Sequence, residues 1–353
     1  MPSILAAALL VFMRALADFG TPLLIGEGYR TFPVEIYNQY VGETSVNYSF
    51  AAAISVIAIG ITAIVFFIQK WLTSKFRFTI NALHTIEQKK PKPMTSVLIH
   101  LYAYILVGIS MMPQVYLAYC SFRNTSKSGA LFLPGFSLNN YRIGLSKMKS
   151  AISNTLLIGL ISVGIVVVLA ILVAYLVVRR PSAKSHAIDT LSMVPYIIPG
   201  SVVGIALIMA FNTKPLVLTG SVAIMIISMV VRRIPYTIRS SVAILGQIPI
   251  SVEEAAISLG CSKLKAFFSI TVPMMSNGII SGGLLSWVTI ITELSTSIIL
   301  YTSHTVTLTL SIYIFVSRGT DGPAAAMATI LTAFTILSLL IFMRFSKSKD
   351  VTF

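Results

Sequence analysis

Seven stretches of this 353-residue chain, at 51–68, 97–120, 151–178, 190–213, 215–231, 266–292 and 322–343, contain no Asp, Glu, Lys or Arg. An eighth, 3–26, is apolar except for Arg14 and Asp18. A hydrocarbon core takes about 20 residues of helix to cross. Backbone groups in lipid must be satisfied within the segment, and these runs are far longer than barrel strands. The pattern therefore predicts an all-α polytopic membrane protein of eight transmembrane helices. Composition excludes the soluble alternative: only 10% of residues are charged, where soluble domains carry about a quarter. The mean hydropathy of +0.88 agrees.

The formal charge of +15 is a record of topology rather than a nucleic-acid footprint, because the basic residues fall mainly between the apolar runs. With loops 69–96, 179–187, 232–265 and 344–353 on the cytoplasmic side, that side holds 17 Lys and Arg against 8 on the other. Both termini are then expected in the cytoplasm. Cys120 and Cys261 fall near opposite surfaces and are not expected to pair. The first stretch lacks a basic leading region and carries Arg14 and Asp18, so it reads as a mature helix rather than an export signal.

The chain also repeats itself. At an offset near 275, Leu9-Leu10 falls on Leu284-Leu285, Phe12 on Trp287, Asp18 on Glu293 and Thr21 on Thr296. With small shifts, Ile36-Tyr37 meets Ile312-Tyr313 and Ala51-Ala52 meets Ala325-Ala326. Repeats are a common building principle in transporters. The second copy follows four further helices and a long cytoplasmic loop, whereas Met1 falls opposite Ser276. The expected organisation is thus 1–68 as the last two helices of a first half, 69–96 as a basic linker containing Lys89-Lys90-Pro91-Lys92-Pro93, and 97–353 as a complete six-helix second half.

The loop 251–273 reads as helix, glycine break, helix. Ser251 with Glu254 is expected to form a capping box, Gly260 to end the first helix and Ser262 to start the next. Lys263 and Lys265 are expected to face water while Leu264, Phe267 and Phe268 pack. Its spacing is Glu254-Ala255-Ala256, three residues, Gly260, nine residues, Ile270, one residue, then Val272-Pro273. This resembles the EAA signature of binding-protein-dependent ABC importer permeases, with Val-Pro where the family usually has Leu-Pro. Tyr196-Ile197-Ile198-Pro199-Gly200, Ala210-Phe211-Asn212, Arg232-Arg233-Ile234-Pro235-Tyr236, Thr292-Glu293-Leu294-Ser295, 14–22, 136–141 and Asn154-Thr155 are similar to the ferric-iron group, commonly two permease halves fused in one chain.

The resemblance implies a MetI-like helical core in a bacterial inner membrane. It implies that Glu253, Glu254, Ala255, Ala256, Gly260, Ile270 and Pro273 couple the chain to a separate ABC ATPase subunit. It also implies an extracytoplasmic solute-binding protein that delivers cargo, and a separately encoded first half or a second copy of the chain as a further partner. ATP-driven alternating access would then move a small solute inward. Ferric iron is the family-based cargo; aminoethylphosphonate, thiamine and sulfate stand as alternatives. An ion-gradient-driven carrier and an inactive fragment of a split gene are the competing readings.

Arg14, Asp18 and Glu293 are ionisable groups in apolar spans, where such residues face the bundle or a water-filled path. Arg14 and Asp18, four apart, are expected to pair on one helical face. Glu293, with no side-chain partner at three or four residues, is expected with Asp18, Thr292 and Ser295 to line a translocation path favouring a cation, or else to hydrogen-bond a neighbouring helix. No G-x-x-x-x-G-K-[ST] occurs, so P-loop ATP binding is excluded. The four histidines are scattered, and no catalytic residue, metal site or cofactor is expected.

Overall fold

The computed structural model describes residues 2–41, 47–75 and 92–345. Lys89, Lys90 and Pro91 of the expected linker and the last eight residues lie outside them. The first part comprises α1 (Pro2–Leu16), α2 (Gly20–Ile25), α3 (Phe32–Val41) and α4 (Tyr48–Lys75). Next come α5 (Pro93–Phe122), a hairpin of β1 (Arg123–Thr125) and β2 (Phe132–Phe136), α6 (Asn139–Lys147), α7 (Ala151–Arg179), α8 (Ala183–Ile197), α9 (Gly200–Phe211) and α10 (Val222–Gln247). The remainder is α11 (Ser251–Ser258), α12 (Lys263–Ala266), a π-helical turn Phe267–Thr271, α13 (Val272–Met274), α14 (Ser276–Ile291), α15 (Ser297–Leu300), α16 (Leu308–Ser317) and α17 (Asp321–Phe345).

Four helices are long and apolar enough to cross a membrane: Tyr48–Gln69, Pro93–Phe122, Ala151–Arg179 and Asp321–Arg344. They contain the expected spans 51–68, 97–120, 151–178 and 322–343. Two more candidates are bent pairs, so length and composition mark four to six candidate spans among the described residues, where about eight were expected. The run 190–213 breaks by 109° between α8 and α9. Proline drives its predecessor out of the helical region, and Ile198 before Pro199 is extended at φ −80°, ψ 128°. The run 266–292 bends by 67° where α13 meets α14.

Two expectations fail more completely. The segment 3–26 divides at 17–19 into α1 and α2. The run 215–231 is not a span of its own: α10 begins at Val222 and continues through Arg232, Arg233 and Arg239 to Gln247. Charge ended the predicted span there, yet the helix continues because those side chains find partners.

The core gathers around α10. Met225, Met229, Arg233, Thr237, Ser241 and Leu245 are all buried, a period-four stripe that faces both neighbours, α7 and α14. Hydroxyls tie α10 to α14 where small residues let the backbones approach. Thr237 Oγ1 donates to the Gly282 carbonyl at 3.0 Å, Ser240 Oγ to the Gly278 carbonyl at 2.6 Å, and Ser286 Oγ to the Arg233 carbonyl at 3.1 Å. By contrast, α5 buries only Cys120 and Ser121, at its end, as suits a helix whose apolar surface meets lipid.

The succession of elements recurs at the offset of the sequence repeat. α1, a break, α2, α3 and α4 correspond to α14, a break, α15, α16 and α17. The last residue of α1, Leu16, falls on Ile291, the last of α14. Phe19 and Val34 of the first copy share one buried cluster with Ile290, Ile298, Leu310 and Ile314 of the second, so the copies are packed together.

Candidate functional site

The loop 251–273 is built on a helix stop. Gly260 has φ +91°, a left-handed conformation that side-chain-bearing residues rarely adopt. The Cys261 N–H donates to Ala256 O at 3.0 Å and the Gly260 N–H to Ile257 O at 2.9 Å, which closes α11 with a Schellman motif. Ser262 then caps α12, accepting from the Lys265 N–H at 3.3 Å. The start of α11 differs from expectation. Ile250 already has helical dihedrals, no side chain caps the helix, and Ser251 lies inside it, so the capping box does not form.

Within the loop the two glutamates separate. Glu253 is buried, its Oε1 accepting from Arg179 Nε at 2.7 Å, while Arg179 Nη2 donates to the Ile248 carbonyl at 2.9 Å. Arg179 thereby fastens the loop to the end of α7. Glu254 and Ala255 are exposed, Ala256 and Ile270 partly so, and Gly260 and Pro273 are open to solvent. Phe267 packs edge-on against Tyr175 with centroids 4.9 Å apart. Phe268 packs edge-on against Phe267, centroids 4.9 Å apart, yet stays 66% exposed, and Leu264, also expected to pack, is 73% exposed beside Leu259 at 89%. The loop thus presents an apolar, uncovered crest with Lys263 and Lys265 at its side.

The second constellation surrounds a cavity of about 1210 Å³ where the two copies meet α8 and α10. Its walls include all four residues singled out for a path: Asp18, Thr292, Glu293 and Ser295. They also include Arg14, Tyr196, Arg232, Arg233 and Tyr236.

Glu293 sits in the break after α14, 5% exposed. Its Oε1 accepts from Arg232 Nη1 at 2.5 Å, from Ser295 Oγ at 2.6 Å and from the Thr296 backbone N–H at 3.0 Å. Its Oε2 accepts from Arg233 Nη2. Buried charge is costly unless paired and hydrogen-bonded, and both conditions are met here. The local partner that side-chain spacing overlooked is the backbone of Thr296. The partners that hydropathy misplaced are Arg232 and Arg233, which belong to α10 rather than to a cytoplasmic loop.

The same network binds the two helix breaks together. Arg232 Nη1 also donates to Ser295 Oγ and Thr296 Oγ1, each at 2.9 Å, and Thr296 Oγ1 donates to the Gly200 carbonyl at 3.1 Å. Gly200 is required by this approach: a Cβ there would lie 2.0 Å from Ser295 Oγ and 2.6 Å from Arg232 Nη1.

Arg14 does not pair with Asp18. α1 ends at Leu16, so Asp18 leaves the helical face that would have set them side by side. The Arg14 guanidinium instead lies 5.4 Å from the Tyr196 ring centroid and 5.3 Å from that of Tyr236, and donates to the Tyr236 hydroxyl. Asp18 is exposed to the cavity. Cys120 and Cys261 are free thiols. Among the described residues no three His, Cys, Asp or Glu side chains cluster as a metal site.

A family model described as "Binding-protein-dependent transport system inner membrane component" matches residues 140–350, more than half of the chain. The chain belongs to this permease family. It is therefore a multi-pass component of the inner membrane. Among curated relatives, the ferric transport system permease protein FbpB of Actinobacillus pleuropneumoniae is 28% identical over 357 residues, 97% of this chain and 50% of the relative. An FbpB-named relative from Haemophilus influenzae is 28% identical over 322 residues, 86% of this chain and 48% of its own length. The chain spans about half the length of these relatives. A bacterial ABC transporter solved by crystallography and involved in alginate import shares the fold, with a TM-score of 0.52 and 18% identity over 70% of this chain and 96% of that one.

Within this permease, Tyr196, Arg232, Arg233 and Tyr236 escaped assignment as cavity residues from sequence. The stripe through 225, 229, 233, 237, 241 and 245 emerges only as burial in the structure, because Arg233, Thr237 and Ser241 are polar and do not mark a buried face by hydropathy.

Proposed function

We propose that this permease is the translocating subunit of an ATP-driven importer for ferric iron, receiving cargo from an extracytoplasmic binding protein. The alignment of ferric permeases along 86–97% of the chain carries the cargo assignment. In this reading residues 1–68 belong to one permease half, 69–96 link the halves, and 97–353 form the other half, with both termini cytoplasmic. The recurrence of four helices at one offset supports that division. The exposed crest of the 251–273 loop suits docking of an ATPase subunit, with Glu254, Ala255, Ala256, Gly260, Ile270 and Pro273 on or under the contact. Glu253 serves as the anchor that passes motion to α7 through Arg179. Asp18, Thr292, Glu293 and Ser295 belong to the wall of the path.

Alternating access then follows from the broken helices. Closure of two ATPase subunits would push the loop, and α13–α14 would transmit the push to the break at Glu293. The test is reconstitution with the ATPase subunit and binding protein, followed by uptake of radiolabelled iron. ATP-dependent uptake that Gly260→Pro abolishes, together with ATPase binding, is the expected result. Uptake that ignores ATP and stops when an ionophore collapses the ion gradient would establish the secondary-transport reading instead.

A further inference from the structure

The cavity between the two copies has a charge balance that bears on its cargo. Its ionisable walls are Arg14, Arg232 and Arg233 against Asp18 and Glu293, three guanidiniums to two carboxylates. Glu293 offers little to a visiting cation, because its oxygens already accept four hydrogen bonds, two of them from the arginines. The arginines are not fully neutralised in return, since two guanidiniums share the one Glu293 carboxylate, and their buried Nε–H groups have no acceptor. Arg14 is the accessible member of the set. Two tyrosine rings hold its guanidinium, and of its five N–H donors the Tyr236 hydroxyl takes one. A guanidinium fixed in orientation with unused paired donors suits the two-oxygen face of an oxyanion.

We propose that this cavity is an oxyanion site, with Arg14 as its binding residue and the Arg232–Arg233–Glu293 clasp as its fixed positive wall. The cargo therefore passes as an anionic, oxygen-rich species, either a free oxyanion or a ferric ion wrapped in an excess of anionic oxygen ligands. Asp18 opposes that cargo and limits how tightly it is held, which a path requires. The proposal deepens the importer reading and rests on it for direction of transport, but the site itself is testable without transport.

The full chain in nanodiscs should be titrated calorimetrically with inorganic phosphate, molybdate, ferric citrate and, as an inert trivalent cation, hexaamminecobalt(III). At least one oxygen anion should bind, with affinity reduced about tenfold or more by Arg14→Gln, partly restored in Arg14→Lys, and raised by Asp18→Asn. Arg14→Lys retains the charge and guards against a misfolded variant, and thermal melting of each variant is recorded alongside. Binding of phosphate or molybdate but not ferric citrate would uphold the site while removing iron from the importer reading. Binding of ferric citrate would uphold both. Tighter binding of hexaamminecobalt(III), weakened by Asp18→Asn and indifferent to Arg14→Gln, would overturn the proposal. So would binding by none of the four.

Discussion

Asp18 and Glu293 occupy equivalent positions of an internal repeat, each just past the end of an apolar helix, yet their surroundings are opposite. Glu293 is buried and held by two arginines, a serine and a backbone amide. Asp18 is exposed and forms no ion pair with the arginine four residues before it. The helices they follow end at matching places, so local structure does not separate them. What does is the company each copy keeps. The second copy packs against α10, which supplies Arg232 and Arg233 from 61 and 60 residues away. An acidic residue at a helix break is therefore not a role in itself. It becomes a clasp where a neighbouring helix supplies donors, and a wall charge where none does.

The largest test of this contrast is Glu293→Ala, which strands two buried guanidiniums. We expect a loss of about 3–5 kcal/mol, measured by thermal or denaturant unfolding of the detergent-solubilised chain. A loss equal to that of Asp18→Asn would abolish the contrast. Next is Gly200→Ala. The new methyl would drive into Ser295 and Arg232 and should cost about 1–3 kcal/mol by the same assay. In the first copy, Gly60 has open space around the position of a Cβ, so Gly60→Ala should instead stabilise α4 by up to about 1 kcal/mol. Smallest is Asp18→Asn, expected to change stability by no more than about 0.5 kcal/mol. A larger loss would mean that Asp18 too has a structural partner.

The 251–273 loop divides along the same line. Gly260 as a helix stop and Ser262 as a cap were readable from residue type, because both act through their own backbone neighbourhood. The capping box was not: Ile250 takes helical dihedrals, moving the helix start back and leaving Ser251 inside. Leu264 and Phe268 look like packing residues by chemistry, yet only Phe267 is buried, against Tyr175, while Phe268 touches the Phe267 ring and stays largely exposed. Apolar character by itself does not tell core from an uncovered crest.

The spans show where hydropathy stops being informative. Continuous apolar runs at 51–68, 97–120, 151–178 and 322–343 became continuous helices because each is satisfied by its own backbone. The runs at 3–26 and 190–213 contain the breaks at Asp18 and Pro199, and the run at 215–231 was ended too early by two arginines. Those arginines continue the helix because an acid elsewhere in the chain pairs with both of them, information that no window centred on residue 232 contains.

From sequence alone, then, came the membrane-embedded helical class, the internal repeat, the loop with its glycine stop and four of the polar residues that share one cavity, Asp18, Thr292, Glu293 and Ser295. Each follows from local rules: apolar length against bilayer thickness, backbone conformations open to glycine, and residue spacing along a helix. Only the tertiary structure decided that Glu293 is a clasped anion, that Arg14 lies between two tyrosines instead of beside Asp18, and that positive charge predominates in the cavity. Those outcomes depend on which charges meet across distant segments, because a buried charge is tolerable only with its partners in place.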